Sequence, residues 1–335
     1  MRFLLDTEQR DFAGSLRALL TAADTPAVIR EWSRGEHLSG RALWGRIGAA
    51  GVFGLAVPEE YGGAGRRAVE LALAFVELGR YAVPGPLVET VAAAVLLGER
   101  TDLAKRFLPG IASGETLATV TVAEHGYGYA LDGDAADLRL AATPEGLRLS
   151  PGAGAERRSL DPARRLTPLA PVGELISAEP AWADALTWAR LAVAAQALGV
   201  GLALLDSTVA YVKQRSQFGV PVGSFQAVKH QLADVKIALE FARPVLFGAA
   251  VTMTPSDVAA AKLGACEAAY LSSRAALQLH GAIGYTAEND LSLWLTKARA
   301  LRGAWGTPEE CRREVLKVVP EPQARGGWSR SSPRP

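Results

Sequence analysis

Val228-Lys-His-Gln-Leu-Ala-Asp-Val-Lys-Ile-Ala-Leu239 sets Val228, Leu232, Val235 and Leu239 at steps of four, three and four, one face of an amphipathic helix. Pro244 is expected to kink or end that helix. Upstream, Leu191 to Leu205 is almost continuously apolar, interrupted by Gln196 and bounded by Arg190 and Asp206. Fifteen residues are too few to span a bilayer, so this stretch reads as a helix buried on all sides. Downstream, Ser256-Asp257 is expected to cap a helix running to a stop at Gly281. Two further helices follow, from Asp290 to about Arg302 and from Pro308 to Val318. Four long antiparallel helices with short connections make a bundle.

Working back towards the N-terminus, the character changes twice. Between about Thr116 and Ser177, short β-rich runs (Leu117–Ala123, Leu138–Ala142, Leu147–Leu149) alternate with Gly, Pro and Asp, predicting short strands joined by turns. The first hundred residues read as helices again. Thr7 is placed to cap the first, with Glu8 in its opening turn, and Ala42–Ala50 and Ala68–Arg80 continue the pattern until Pro84 and Pro86 stop it. The cluster Gly62-Gly-Ala-Gly65 reads as a turn rather than a phosphate cradle. The expected fold is therefore α+β and mostly α. A helical domain spans 1–115, a reduced β-domain 116–180 and a four-helix bundle 181–320, with a disordered tail rich in Pro, Gly, Ser and Arg at 321–335.

Composition narrows the function classes. A chain of 335 residues with 49 % hydrophobic content and a net charge of +1 has ample core and no bulk charge to draw it to nucleic acid or a membrane surface. Acids at Asp6 and Glu8 arrive before a signal-peptide core could form, and a cytoplasmic protein is expected. Cys266 and Cys311 belong to no paired pattern and read as buried free thiols. His37, His125, His230 and His280 are too dispersed for a metal site, and none is expected.

Three ordered motifs carry a resemblance. Arg215-Ser-Gln-Phe-Gly219, with Phe225-Gln226 and Lys229-His-Gln-Leu-Ala-Asp234, resembles the R-x-Q-F-G…FQ…H-x-L-A-D signature of acyl-CoA dehydrogenases. Gln278-Leu-His-Gly-Ala-Ile-Gly284-Tyr-Thr-Ala-Glu288 is similar to that family's Q-x-H-G-G-x-G-x-T-x-E segment, and Val57-Pro-Glu-Glu-Tyr-Gly-Gly63 to its N-terminal loop. The resemblance implies α,β-desaturation of an acyl thioester, with FAD as hydride acceptor and an electron-transfer flavoprotein-like protein as the next acceptor. It also implies that Arg215, Gln217, Phe218 and Gln226, with Gln278, Gly281, Ala282 and Thr307, face FAD bound mainly by a neighbouring subunit. Arg190 would then lie on the substrate side. An arginine fork suits phosphate oxygens, and small residues let backbone N–H groups approach a cofactor. Taken singly, Gly281 reads equally well as a helix C-cap, and Phe218, Phe225 and His230 as ordinary core or surface residues.

The chain departs from the family where chemistry is done. The family's catalytic glutamate precedes a Gly-Thr step, which here is Gly306-Thr307 preceded by Trp305. A subgroup carries it before an arginine on the first bundle helix, which here is Ala189 before Arg190. An indole has no basic lone pair with which to take a proton. Thr307-Pro-Glu-Glu310 reads as a capping box, which occupies Glu309 and Glu310 structurally, and Glu288 matches a position that is not the base. Of the family's flavin-ring loop only Glu124 echoes, and the following tryptophan strand is missing. No catalytic group is therefore assigned. The pattern of loss and retention implies the non-catalytic partner of a catalytic acyl-CoA dehydrogenase subunit. A homo-oligomer with a relocated base, acting on a CoA or carrier-protein thioester, and a flavin-free structural homologue remain as alternatives.

Overall fold

Helix α7 (Trp182–Gln214) is the axis of the molecule, seen in a computed structural model that describes residues 5–122 and 128–318. The expectations attached to Glu124 and to the tail from 321 fall outside those residues. Every α7 residue from Thr187 to Leu202 is buried, because Leu191–Leu205 offers no polar face to solvent. By length and composition α7 resembles a membrane span, but 94 % of its most apolar stretch is buried among the other elements.

On one side α7 meets α8 (Gln226–Thr252), α9 (Pro255–His280) and α10 (Leu291–Gly303), with α11 (Pro308–Leu316) closing the bundle against α9. The face read from sequence is the buried one: Val228, Val235 and Leu239 lie inside with Ala242, Leu246 and Ala249. Pro244 does not end α8. It sits on the exposed side, where water can satisfy the freed carbonyl four residues back, while Ala242 and Leu246 hold the helix to the bundle. The cap of α9 is Thr254, whose side chain accepts from the Asp257 N–H, with Pro255 following; Ser256 and Asp257 lie inside the first turn.

The other side of α7 is covered by the N-terminal half. This comprises α1 (Thr7–Thr21), α2 (Thr25–Ser33), α3 (Leu38–Ala49), α4 (Ala68–Arg80), α5 (Leu87–Gly98) and α6 (Thr101–Ser113). Asp6, not Thr7, caps α1, through a reciprocal box with Gln9. The reading of separate elements missed α2, which Asp24 caps and Pro26 opens. Helix α4 crosses α7 at contact distance. A Cβ at Gly79 would overlap the Gln196 carbonyl, and one at Gly199 the Val76 carbonyl.

The β-domain holds a sheet of β1 (Ala118–Val122), β3 (Leu138–Thr143), β4 (Gly146–Leu149) and β6 (Leu175–Ser177) in that order. Strands β1 and β3 run parallel and the other pairs antiparallel. A separate antiparallel pair joins β2 (Gly128–Leu131) to β5 (Leu166–Leu169). Thr90 of α5 seats this domain, its hydroxyl donating to the Ala118 carbonyl at 2.8 Å and accepting the Ala118 N–H at 3.2 Å.

If the backbone-to-backbone crossing of α4 and α7 sets their spacing, Gly199→Ala must separate them. It gains about 1 kcal/mol of helix propensity but overpacks the crossing, for an expected net loss of about 1–3 kcal/mol in urea unfolding. Gly264→Ala in α9, where a Cβ meets nothing within 4 Å, is the control and should gain about 0.4–1 kcal/mol.

Candidate functional site

The end of α7 turns into a two-residue hairpin, β7 (Ser216–Gln217) and β8 (Val220–Pro221). Its central residues, Phe218 and Gly219, have φ of 54° and 80°, the positive values a type I′ turn needs. A left-handed phenylalanine costs roughly 1–2 kcal/mol, and this one is 92 % exposed. Strain carried by a solvated aromatic is not repaid by packing. Arg215, Gln217 and Gln226 lie on the same exposed segment.

The second motif is brought beside the first. Tyr211 of α7 stacks on His280 of α9 at 4.2 Å between ring centroids, and its hydroxyl donates to the His280 carbonyl at 3.3 Å. Gln231 of α8 donates to the Gln278 side chain at 3.2 Å. Gly281, with φ 64°, stops α9 and has no atom within 4 Å of where a Cβ would stand, leaving that backbone accessible beside exposed Ala282. Burial holds the His280 imidazole below its usual pKa, opposed by its hydrogen bond to the Ala276 carbonyl, so the ring is neutral at pH 7. The other candidates, Arg190 and Thr307, lie elsewhere.

Those two belong to a second place, near the start of α7. The segment Ala304–Thr307 is pinned there by three buried groups. Arg190 Nε donates to the Trp305 carbonyl at 3.1 Å, Lys262 Nζ to the Gly306 carbonyl at 2.7 Å, and the Trp305 indole N–H to Glu89 Oε1 at 3.1 Å. Arg190 is thus engaged with the backbone of this loop. The indole stacks on Trp182 at 5.9 Å, and Trp305 itself takes φ 57°. Ala189 is wholly buried. Thr307 caps α11 in a reciprocal box with Glu310, as its spacing predicted, and Glu309 pairs with Arg312 at 3.3 Å. The Thr307 N–H holds the Glu310 carboxylate below the usual range.

Trp305, Glu89 and Arg164 line a cavity of about 280 Å³ against β1, β2 and β5. Glu89 was missed in the sequence. It is the one charged residue of α5, 5 % exposed, and that isolation in an apolar helix was the available signal. Beneath it lies a buried group of charges. Arg164 stands 3.9 Å from Glu89, and Lys297 of α10 stands 3.8 Å from Asp161 and donates to the Val83 carbonyl. Burial lowers the Lys297 pKa against the pull of Asp161 and raises Asp132 to about 8. No cluster of metal-ligating side chains occurs among the described residues.

A helical N-terminal half, a small β-domain and a helical bundle are the architecture of flavin-dependent acyl-thioester dehydrogenases. Residues 6–115 match the acyl-CoA dehydrogenase N-terminal domain and residues 181–319 the acyl-CoA dehydrogenase C-terminal domain; the chain belongs to the acyl-CoA dehydrogenase family. It is 33 % identical over 316 residues to the acyl-CoA dehydrogenase IpdE2 of Mycobacterium tuberculosis, covering 93 % of this chain and 98 % of that one. Among solved structures it is similar to the ChsE4-ChsE5 complex from Mycobacterium tuberculosis, with a TM-score of 0.82 and 25 % identity over 96 % of this chain and 100 % of that one. Butyryl-CoA dehydrogenase from Megasphaera elsdenii shares the fold at a TM-score of 0.80 and 23 % identity, over 95 % of this chain and 99 % of that one.

Asp132 gives a pH signature. Its carboxyl has an ordinary value of 3.8 and about 8 when folded, so between those values the folded state binds the extra proton. The stability linked to that proton is complete below about pH 4 and is lost as pH rises towards 8, by up to about 1.4 kcal/mol per pH unit. Asp132→Asn should remove this component, so that urea unfolding of the variant gains on the parent chain as pH rises across that window.

Proposed function

We propose that this chain is the non-catalytic subunit of a heteromeric, FAD-dependent acyl-CoA dehydrogenase, completing the cofactor site of a catalytic partner. Trp305 and Ala189, standing where the family carries its acid, support the non-catalytic role, and the length of α7 supports the need for a second chain. Arg190, at the pinned loop, and Gln214, at the cofactor hairpin, are both in α7 and lie about 36 Å apart at 1.5 Å per residue. A flavin dinucleotide does not span that distance, so a cofactor gripped by the hairpin has its ring in another chain's pocket.

The residues fit the two halves of FAD unequally. The exposed hairpin and the open Gly281 backbone suit the adenosine diphosphate half: Arg215 would hold the pyrophosphate, Phe218 would cover the adenosine, and Gln278 would offer its amide. The ring half meets a more confined place in this chain: the pocket of about 280 Å³ beside β1, β2 and β5 is walled on one side by the Trp305 indole, and ring and thioester would have to share it. FAD supplies hydride acceptance when bound, and the α-proton of the thioester passes to an acid of the partner. Similarity to a chain of the ChsE4-ChsE5 complex supports heteromeric use. An electron-transfer flavoprotein is the expected acceptor.

Purified alone, the chain should be colourless, and an anaerobic titration with acyl thioesters should bleach no flavin. Co-expressed with the products of adjacent genes, it should elute in a yellow complex, and Arg215→Ala should lower FAD affinity of that complex about tenfold or more. Bleaching by the isolated chain overturns the reading in favour of a self-sufficient enzyme, for which Glu89 is the acid nearest the pocket.

A further inference from the structure

A groove of about 630 Å³ runs between the C-terminal end of α7 and the first turns of α8. Its floor is apolar, with Leu205 and Val212 buried and Val209 and Leu232 half-buried. From Leu205 to Lys213 it measures about 12 Å along α7, at 1.5 Å per residue. Charge is distributed unevenly along the rim. At the end away from the hairpin, Asp206 pairs with Arg80 at 2.9 Å and Lys236 with Glu240 at 2.6 Å. At the hairpin end, Lys213 lines the α7 wall and Lys229 the α8 wall, and neither forms an ion pair among the described residues.

That asymmetry selects the occupant and its direction. An ammonium offers three donors and no acceptor, so two of them at one end call for an anionic head there. The far end has its charges matched already, and the floor between offers nothing but apolar surface. An extended peptide would lay its amides over side chains that cannot hydrogen-bond them. A single head on a short hydrocarbon chain leaves nothing unmatched. We propose that this groove binds a small anionic amphiphile, its head between Lys213 and Lys229 and its chain along Leu232, Val209 and Leu205. Occupancy requires neither flavin nor a partner subunit, so its test is separate from that of the subunit's role.

Octanoate, octylammonium and acetate, titrated into the full chain and followed by saturation-transfer NMR, separate the head from the chain. The first two differ only in the head and its sign, and a net charge of +1 gives neither a bulk advantage. Octanoate should bind roughly three- to tenfold more tightly than octylammonium, since exposed ion pairs are individually weak, and added salt should narrow the margin. Acetate keeps the head and loses the chain, and should bind at least about tenfold more weakly than octanoate. Lys213→Gln combined with Lys229→Gln should erase the preference for octanoate and leave the chain folded, because both side chains are exposed. Ala233→Glu, on the exposed α8 wall one turn from Lys229, should erase it too by supplying the missing counter-ion. A preference that survives the double substitution places the anion elsewhere and overturns the proposal. So does equal binding of octanoate and octylammonium, or of octanoate and acetate. Absence of octanoate binding also overturns it, and leaves the groove to a segment of another protein chain.

Discussion

A helix buried around its whole circumference has no freedom in how it is placed, and α7 imposes that constraint on everything else. Thr187–Leu202 must be covered on all sides. The bundle covers one side and the N-terminal half the other, and the glycines at the α4–α7 crossing let backbone meet backbone there. Backbone contact of that kind leaves little slack, since a packed interior transmits a shift of one ångström rather than absorbing it. The α4–α7 pair is thus a rigid rod, and whatever hangs on its two ends is held at a fixed separation.

At the N-terminal end of that rod, the loop carrying Trp305 illustrates how an unfavourable backbone conformation is held in place. A tryptophan in the left-handed region is unfavourable by itself. Arg190 and Lys262 hold the adjoining carbonyls, Glu89 takes the indole N–H, and Trp182 lies against the ring. These contacts act together and fix the indole against the pocket beside β1, β2 and β5. Charges buried nearby are tolerated because they occur in opposite-sign pairs, with Arg164 near Glu89 and Lys297 near Asp161.

The bundle was legible because its signal is periodic and long: the apolar face of Val228–Leu239 and the featureless run of Leu191–Leu205 each admit one packing. The motif that becomes the hairpin after α7 stood out because consecutive residues carry it. Helix ends were less so, since Asp6 competes with Thr7 and Thr254 with Ser256, and only the turn geometry decides which oxygen reaches an N–H. Of the two outcomes expected at Pro244, a kink or an end, the end does not occur, because proline stops a helix only where its lost hydrogen bond cannot be replaced. Strands β2, β5 and β6 have three or four residues each, too few to show alternation. The charge of Glu89 stands out locally, alone in an apolar helix, but its pairing does not, because Trp305 lies 216 residues away.

The bundle's outer face has a consequence for the life of the chain in a cell. Ile237, Phe241 and Val245 fall on one line of α8, the last two separated by a single turn, and all three are exposed, as is Phe218. Apolar groups in such a row draw copies of the same chain together once the concentration rises. Chains left without a cover are also the ones that quality control removes first. The amount of this protein that stays dispersed is then limited by its own concentration as much as by its synthesis, a ceiling set by the surface itself.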